Sequence, residues 1–109
     1  LRGQRARPID EATVVAMYLN NRAVEALTSG DVDTAYWWAR AAMEKQPRFL
    51  SAYNTLGVVY RRRGELAAAE QVLAHALERE PGNTQLLSNL ALVEADLGKQ
   101  ADAERLRVR

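Results

Sequence analysis

Three consecutive arginines, Arg61, Arg62 and Arg63, form an uninterrupted basic run that could bind an acidic group. Guanidinium groups bind carboxylates and phosphates through paired hydrogen bonds. Successive residues of a helix point about 100° apart, so at most two of the three can face one partner. Two interpretations follow. Arg61 and Arg62 receive an acidic group of a ligand, or the triplet is the polar last turn of a helix, where basic side chains complement the helix dipole.

Other residue types that perform chemistry are scarce. His75 is the only histidine and the sequence has no cysteine, so the usual ligands of a metal site are missing. No serine has a histidine and an acid at a spacing suited to nucleophilic catalysis. The glycines do not form a phosphate-binding loop. We therefore predict a protein that is not an enzyme, with no catalytic residue, no metal and no cofactor.

The charge distribution also limits the class of partner. The net charge is +1, but Arg2, Arg5 and Arg7 lie in the first eight residues, and the remainder has 12 basic against 14 acidic residues. A nucleic-acid surface usually shows a clustered basic excess, so we expect no nucleic-acid partner. No run of 18 apolar residues is present, and we expect no membrane insertion. The composition suggests a bacterial protein, of the cytoplasm or the periplasm.

The sequence repeats every 34 residues. Four sets of positions share this period: Gly30, Gly64 and Gly98; Ala35, Ala69 and Ala103; the small residues Ala23, Gly57 and Ala91; and Pro47 and Pro81. A fixed period of this length indicates a solenoid built from short repeats. Each unit predicts a helical hairpin. In the second unit the apolar spacing predicts one helix from Leu50 to Arg63, ended by Gly64, and another from Glu65 to Glu80, ended by Pro81.

The second unit resembles the tetratricopeptide repeat (TPR) signature, of the kind found in bacterial proteins. The resemblance is carried by Tyr53, Leu56, Gly57, Tyr60, Gly64, Ala69, Leu73, Ala76 and Pro81. It implies an all-α fold: a right-handed α-solenoid of about six antiparallel helices in three TPR hairpins. We place the repeats at about residues 16–49, 50–83 and 84–109, the last one shortened, within a domain at 10–109. Residues 1–9 are expected to be a disordered or linker arm, and the chain to be part of a larger protein.

The small residues Ala23, Gly57 and Ala91 are expected where the two helices of a hairpin cross. Because alanine occurs in two of the three units, we expect Gly57→Ala to be neutral or stabilising, by up to about 1 kcal/mol. The first helix is expected from about residue 10 to 28, with Asp10 as its N-cap.

In this family the first helix of each unit lines a concave groove, so the resemblance implies a peptide-binding site there. The implied residues are Met17, Asn20, Asn21, Val24, Asn54, Val58, Arg61, Arg62, Ser88, Asn89 and Leu92. Asn20, Asn54 and Ser88 share one register, and Asn21, Thr55 and Asn89 the next. Some TPR proteins hold a peptide backbone with an asparagine ladder at the register of Asn21 and Asn89, which Thr55 interrupts. The alternative is that these amides cap helices, bond locally or face water.

Trp37 is expected to point away from the core face of its helix, whereas Trp38 borders that face beside the small Ala39. Exposed tryptophan is enriched at interfaces, so Trp37 is a candidate contact for a neighbouring domain or a second copy of the chain. Packing of Trp37 against the first helix is the alternative. Our first hypothesis for function is a protein–protein interaction module that binds a partner peptide or segment in the groove. The second is a structural solenoid that packs on a neighbouring domain or forms homo-oligomers.

Overall fold

The computed structural model describes residues 9–107, which form five α-helices and no strand. The helices are α1 (Glu11–Thr28), α2 (Val32–Lys45), α3 (Leu50–Arg62), α4 (Leu66–Arg79) and α5 (Thr84–Arg107). The all-α fold class is thereby confirmed. Residues 1–8 of the predicted arm lie outside the described residues.

The first two helices begin at aspartate caps. The Thr13 amide donates to Asp10 Oδ1 at 2.7 Å, as expected for an N-cap, and the Thr34 amide donates to Asp31 Oδ1 at 3.1 Å. These hydrogen bonds favour the charged carboxylates, so the pKa values of Asp10 and Asp31 are lowered. The caps therefore supply amide partners that a helix start otherwise lacks.

Each of the first two hairpins turns at a glycine in the left-handed region. Gly30 has φ 84° and Gly64 has φ 79°. The Asp31 amide donates to the Ala26 carbonyl and the Glu65 amide to the Tyr60 carbonyl, both at 2.9 Å, which closes the end of the preceding helix. A side chain with a Cβ is disfavoured in this conformation. The shared register of the two glycines thus corresponds to one repeated turn.

The helices form two layers. α1 packs on α2 and α3 on α4, while α2 contacts α3 and α4 contacts α5. α1 also contacts α3, and α3 contacts α5. The odd-numbered helices therefore lie side by side, with α2 and α4 behind them, an arrangement consistent with a TPR-like helical solenoid.

The core changes in character along the chain. Between α1, α2 and α3 it consists mainly of alanines with Leu56 and Val59. Between α3, α4 and α5 it contains larger side chains, including Tyr53, Leu73 and Leu86. Trp38 packs on the first of these cores, beside Ala39, and Arg22 lies 5.2 Å from its ring centroid. The large Trp38 thus covers a region where its neighbours are small.

The expectation for Gly57→Ala is wrong. A Cβ at Gly57 would lie 2.5 Å from Leu73 Cδ2 and 2.6 Å from Leu73 Cγ, and Leu73 is fully buried. One hairpin earlier, Ala23 and the small Ala39 pack in the same cluster. The first unit therefore has two alanines where the second has a glycine and a leucine. Gly57 is small because its partner is large.

The third hairpin does not form within the described residues. α5 runs unbroken through Gly98, so the structure has five helices where the sequence predicts about six. In α4 the face packed on α3 includes Leu66, Ala69 and Leu73; the positions 34 residues later are Gln100, Ala103 and Arg107. A helix turned back at Gly98 would bury little apolar surface, so a turn there gains little. Ala91, expected at a helix crossing, is exposed for the same reason.

Candidate functional site

The candidate site spans the outer surface of the three odd-numbered helices, called here the α1–α3–α5 surface. It comprises the predicted residues Met17, Asn20, Asn21, Val24, Asn54, Val58, Arg61, Arg62, Ser88, Asn89 and Leu92. Met17, Val24 and Leu92 are 40%, 46% and 46% exposed. Their exposure leaves apolar contact area at several points along the surface, between the polar residues.

Two asparagines predicted in adjacent registers meet in the structure. Asn89 Nδ2 on α5 donates to Asn54 Oδ1 on α3 at 2.7 Å. Together with Thr84, Gln85 and Ser88 they line a cleft of about 320 Å³. A carboxamide has two donor hydrogens and an acceptor oxygen, so Asn54 keeps its amide donors and Asn89 its carbonyl acceptor. These groups are suited to the C=O and N–H groups of a bound polypeptide backbone.

The corresponding pair between α1 and α3 is broken. Asn20 and Thr55 stand 34 residues before Asn54 and Asn89, but Thr55 Oγ1 donates to the Ser51 carbonyl at 3.0 Å. Asn20 is only 8% exposed, and its Oδ1 is buried without a hydrogen-bond partner. A buried acceptor without a partner destabilises the fold. The interruption expected at Thr55 thus coincides with an unpaired oxygen on Asn20.

Restoring the missing amide should therefore stabilise the protein. We expect Thr55→Asn to raise the free energy of unfolding by about 1 kcal/mol, because the new Nδ2 can donate to Asn20 Oδ1. Urea unfolding followed by circular dichroism measures the change. The control is the same substitution in an Asn20→Ala background, where no acceptor remains and the gain should vanish. A Thr55→Asn protein no more stable than the parent would contradict the proposed pairing.

The arginine triplet is engaged within the chain. Arg61 Nε lies 2.6 Å from Asp96 Oδ2, Arg62 Nη1 donates to the Leu27 carbonyl at 3.1 Å, and Arg63 Nε lies 2.8 Å from Glu65 Oε2. The three side chains thus bind α5, the end of α1 and the start of α4. These contacts favour the interpretation of the triplet as a polar helix end over that of a free ligand site.

The Arg61–Asp96 ion pair is also the main electrostatic feature of the surface. The hydrogen bond from Arg61 lowers the pKa of Asp96 below its ordinary value. A lowered carboxyl pKa contributes stability above the unfolded-state value, and that contribution is lost as the pH falls through the folded-state value. The contact between α3 and α5 should therefore weaken in acid.

A second cleft next to this surface was not predicted. It has a volume of about 440 Å³, and α3, α5 and the loops before them contribute to it. Its lining includes Arg48, Ser51, Asn54, Arg79, Glu80, Asn83 and Gln85. Arg48 lies in a loop, and Arg79 matches only Lys45 in the 34-residue register, so helical periodicity does not single out either arginine. Their convergence depends on how the two loops fold together.

Trp37 lies elsewhere on the molecule and is 66% exposed. It borders a cleft with Tyr36 and Tyr60, and its ring is edge-on to Tyr36 with centroids 5.1 Å apart. Arg63 lies 5.0 Å from the centroid of the Tyr36 ring, and Arg40 donates to the Tyr36 hydroxyl at 2.8 Å. Burial raises the pKa of the neighbouring Tyr60, and Tyr36 adds to that rise. Trp37 is therefore exposed beside an aromatic cluster that is fixed in place.

Other kinds of site have no candidates in residues 9–107. No group of three or more histidine, aspartate and glutamate side chains in this part of the chain is arranged to hold a metal ion. None of the five described helices combines the length and the apolar character needed to cross a membrane.

Comparison with protein families matches residues 49–79 to the tetratricopeptide repeat. The match covers the hairpin of α3 and α4 together with Phe49, which precedes it. No curated protein matches the chain. Repeats of this type generally mediate protein–protein interaction and typically have no catalytic role. Both the helical hairpin and the family match therefore identify residues 49–79 as a tetratricopeptide repeat.

Proposed function

We propose that this chain is a protein-interaction module that binds an extended segment of a partner protein along the α1–α3–α5 surface. The observation that carries the proposal is the Asn54–Asn89 pair, whose remaining donors and acceptor face a cleft between α3 and α5. An extended backbone presents N–H and C=O groups at regular spacing, and such groups can bond to both amides.

Apolar side chains beside the amides support the same proposal. Met17, Val24 and Leu92 are exposed on the same surface, although solvent exposure of large apolar groups is not favourable. A bound segment would cover them and so gain affinity, while the amides fix the position of its backbone. This division of roles is usual in peptide recognition, where main-chain bonds and side-chain pockets act together.

The test is a selection of random 12-residue peptides displayed on phage against the immobilised chain, followed by fluorescence anisotropy with the enriched peptides. We expect Leu92→Glu to weaken binding at least about tenfold, because a charge would then stand on the surface that the peptide must desolvate. Leu106→Glu is the matched control: Leu106 lies on the same helix, is 71% exposed and is outside the surface. It should leave affinity within about twofold.

Three outcomes would contradict the proposal. These are failure to enrich any peptide, equal binding by the Leu92→Glu protein, and equal weakening by both glutamate variants. Circular dichroism of each variant, compared with the parent, separates lost binding from lost folding.

The second candidate function is structural, and the exposure of Trp37 favours it. An indole 66% exposed beside Tyr36 and Tyr60 offers the kind of rigid aromatic contact that interfaces use. In this alternative the chain packs on a neighbouring domain or on a second copy. Light scattering on the protein used for the selection distinguishes it: a concentration-dependent mass that Trp37→Ala returns to the monomer, with no enriched peptide, would replace the first function with this one.

A further inference from the structure

Two arginines without an ion pair converge on the cleft at one end of the α1–α3–α5 surface. Arg48 precedes α3 and Arg79 ends α4, and both line the cleft of about 440 Å³. Neither forms a salt bridge with any side chain of residues 9–107, whereas Arg61 and Arg63, in the basic triplet, each do. Cationic side chains that line a cleft and are not neutralised within the chain are available to a ligand.

The cleft continues into the α3–α5 part of the surface. Asn54 and Gln85 line both this cleft and the smaller one that contains Asn89. A segment lying on Asn54 and Asn89 would therefore reach Arg48 and Arg79 within a few residues. Ser51 and Asn83 add further polar groups to the lining, and Asn83 Oδ1 is already bound to the Leu86 amide at 3.0 Å.

The charges of the cleft indicate the kind of group it accepts. Glu80 is the one acidic residue in the described lining and is hydrogen-bonded to Asn83 Nδ2 at 3.3 Å. It offsets one of the two arginines and leaves the lining with a single net positive charge. Outside the cleft, Asp10 has its pKa lowered in part by Arg48 and is bound to the Thr13 amide. A carboxylate, with one negative charge, matches this balance better than a doubly charged phosphate, and the guanidinium fork suits its two oxygens.

We infer that the cleft between Arg48 and Arg79 binds a carboxylate of the partner segment. This inference rests on the proposed function and specifies its partner as an acidic one. The carboxylate belongs either to an aspartate or glutamate side chain or to the C-terminus of the partner. The amides of Asn54 and Asn89 then hold the adjacent backbone, and the two arginines determine which sequences are accepted.

The experiment is a parallel selection of the random 12-residue peptides against three proteins: the parent, the Arg48→Gln/Arg79→Gln variant and the Arg105→Gln/Arg107→Gln variant. The last removes the same charge from the exposed end of α5, where both arginines contact acids only three residues away. We expect acidic residues to be enriched at one peptide position on the parent and on the α5 variant. The enrichment should disappear on the Arg48→Gln/Arg79→Gln protein.

Synthetic peptides then identify the source of the carboxylate. Replacing the enriched acid with its amide should weaken binding to the parent about tenfold and binding to Arg48→Gln/Arg79→Gln by less than about twofold. If peptide amidation at the C-terminus produces the loss instead, the terminal carboxylate is the bound group. Peptides that bind without an acidic preference, or with one that survives Arg48→Gln/Arg79→Gln, would overturn the inference and leave the proposed function standing. The absence of any enriched peptide would reject both.

Discussion

Gly57→Ala should destabilise the protein by about 1–3 kcal/mol, the usual range for overpacking a well-filled core. Alanine is the better helix former, so helix propensity alone would predict a gain. The new Cβ, however, would lie 2.5–2.9 Å from three carbons of Leu73. Leu73 is fully buried, and one of the three carbons is its Cγ, so relief requires movement of the whole side chain.

The second residue of the pair gives a stricter test. Leu73→Ala should cost about 2–5 kcal/mol, because it leaves a cavity in the larger of the two cores. In the double variant Gly57→Ala/Leu73→Ala, the cavity accommodates the added methyl group. The combined loss should therefore fall short of the sum of the single losses by about 1–2 kcal/mol.

The double variant also reproduces the first unit, where Ala23 and Ala39 pack in one cluster. Chemical unfolding of the four proteins, fitted with a common slope, measures the coupling. Additive losses would mean that the strain at Gly57 is relieved elsewhere and that the two residues are independent. A Gly57→Ala protein as stable as the parent would show that Leu73 moves without cost.

These residues also show why the period predicts only part of the packing. A repeated small residue marks a close helix crossing, and the helix bounds near Leu50 and Gly64 follow from the spacing of apolar residues and glycines. The period does not reveal that Leu73 fills the space which Ala39 leaves open one unit earlier. Compensating sizes at two positions become visible only when the two helices are placed against each other.

The candidate site was predictable to a similar degree. Adjacent registers on neighbouring helices placed Asn54 beside Asn89 and identified Thr55 as an interruption. The sequence could not show that Arg61 pairs with Asp96 on α5, because an ion pair across two helices follows no short spacing. The loop residue Arg48 was missed because loop conformation is set by local turns and tertiary contacts, which a helical pattern does not describe.

The three glycines at one register should respond oppositely to the same substitution. Gly64→Ala should cost about 1–2 kcal/mol, because φ 79° is unfavourable for a residue with a Cβ. Gly98→Ala should instead stabilise the protein by about 0.5–1 kcal/mol. Gly98 lies inside α5 without a positive φ, and a Cβ there meets no atom within 4 Å.

Gly30→Ala is the matched control for this comparison, since Gly30 has φ 84° and equally open surroundings. It should lose stability as Gly64→Ala does. Thermal unfolding and the helical signal in circular dichroism report all three changes, and Gly98→Ala should add helical signal. A loss of stability in Gly98→Ala would mean that residue 98 adopts a left-handed turn and that residues after it form the second helix of a third hairpin. The sign of that single change therefore decides between a solenoid that ends in one long helix and one that ends in a complete repeat.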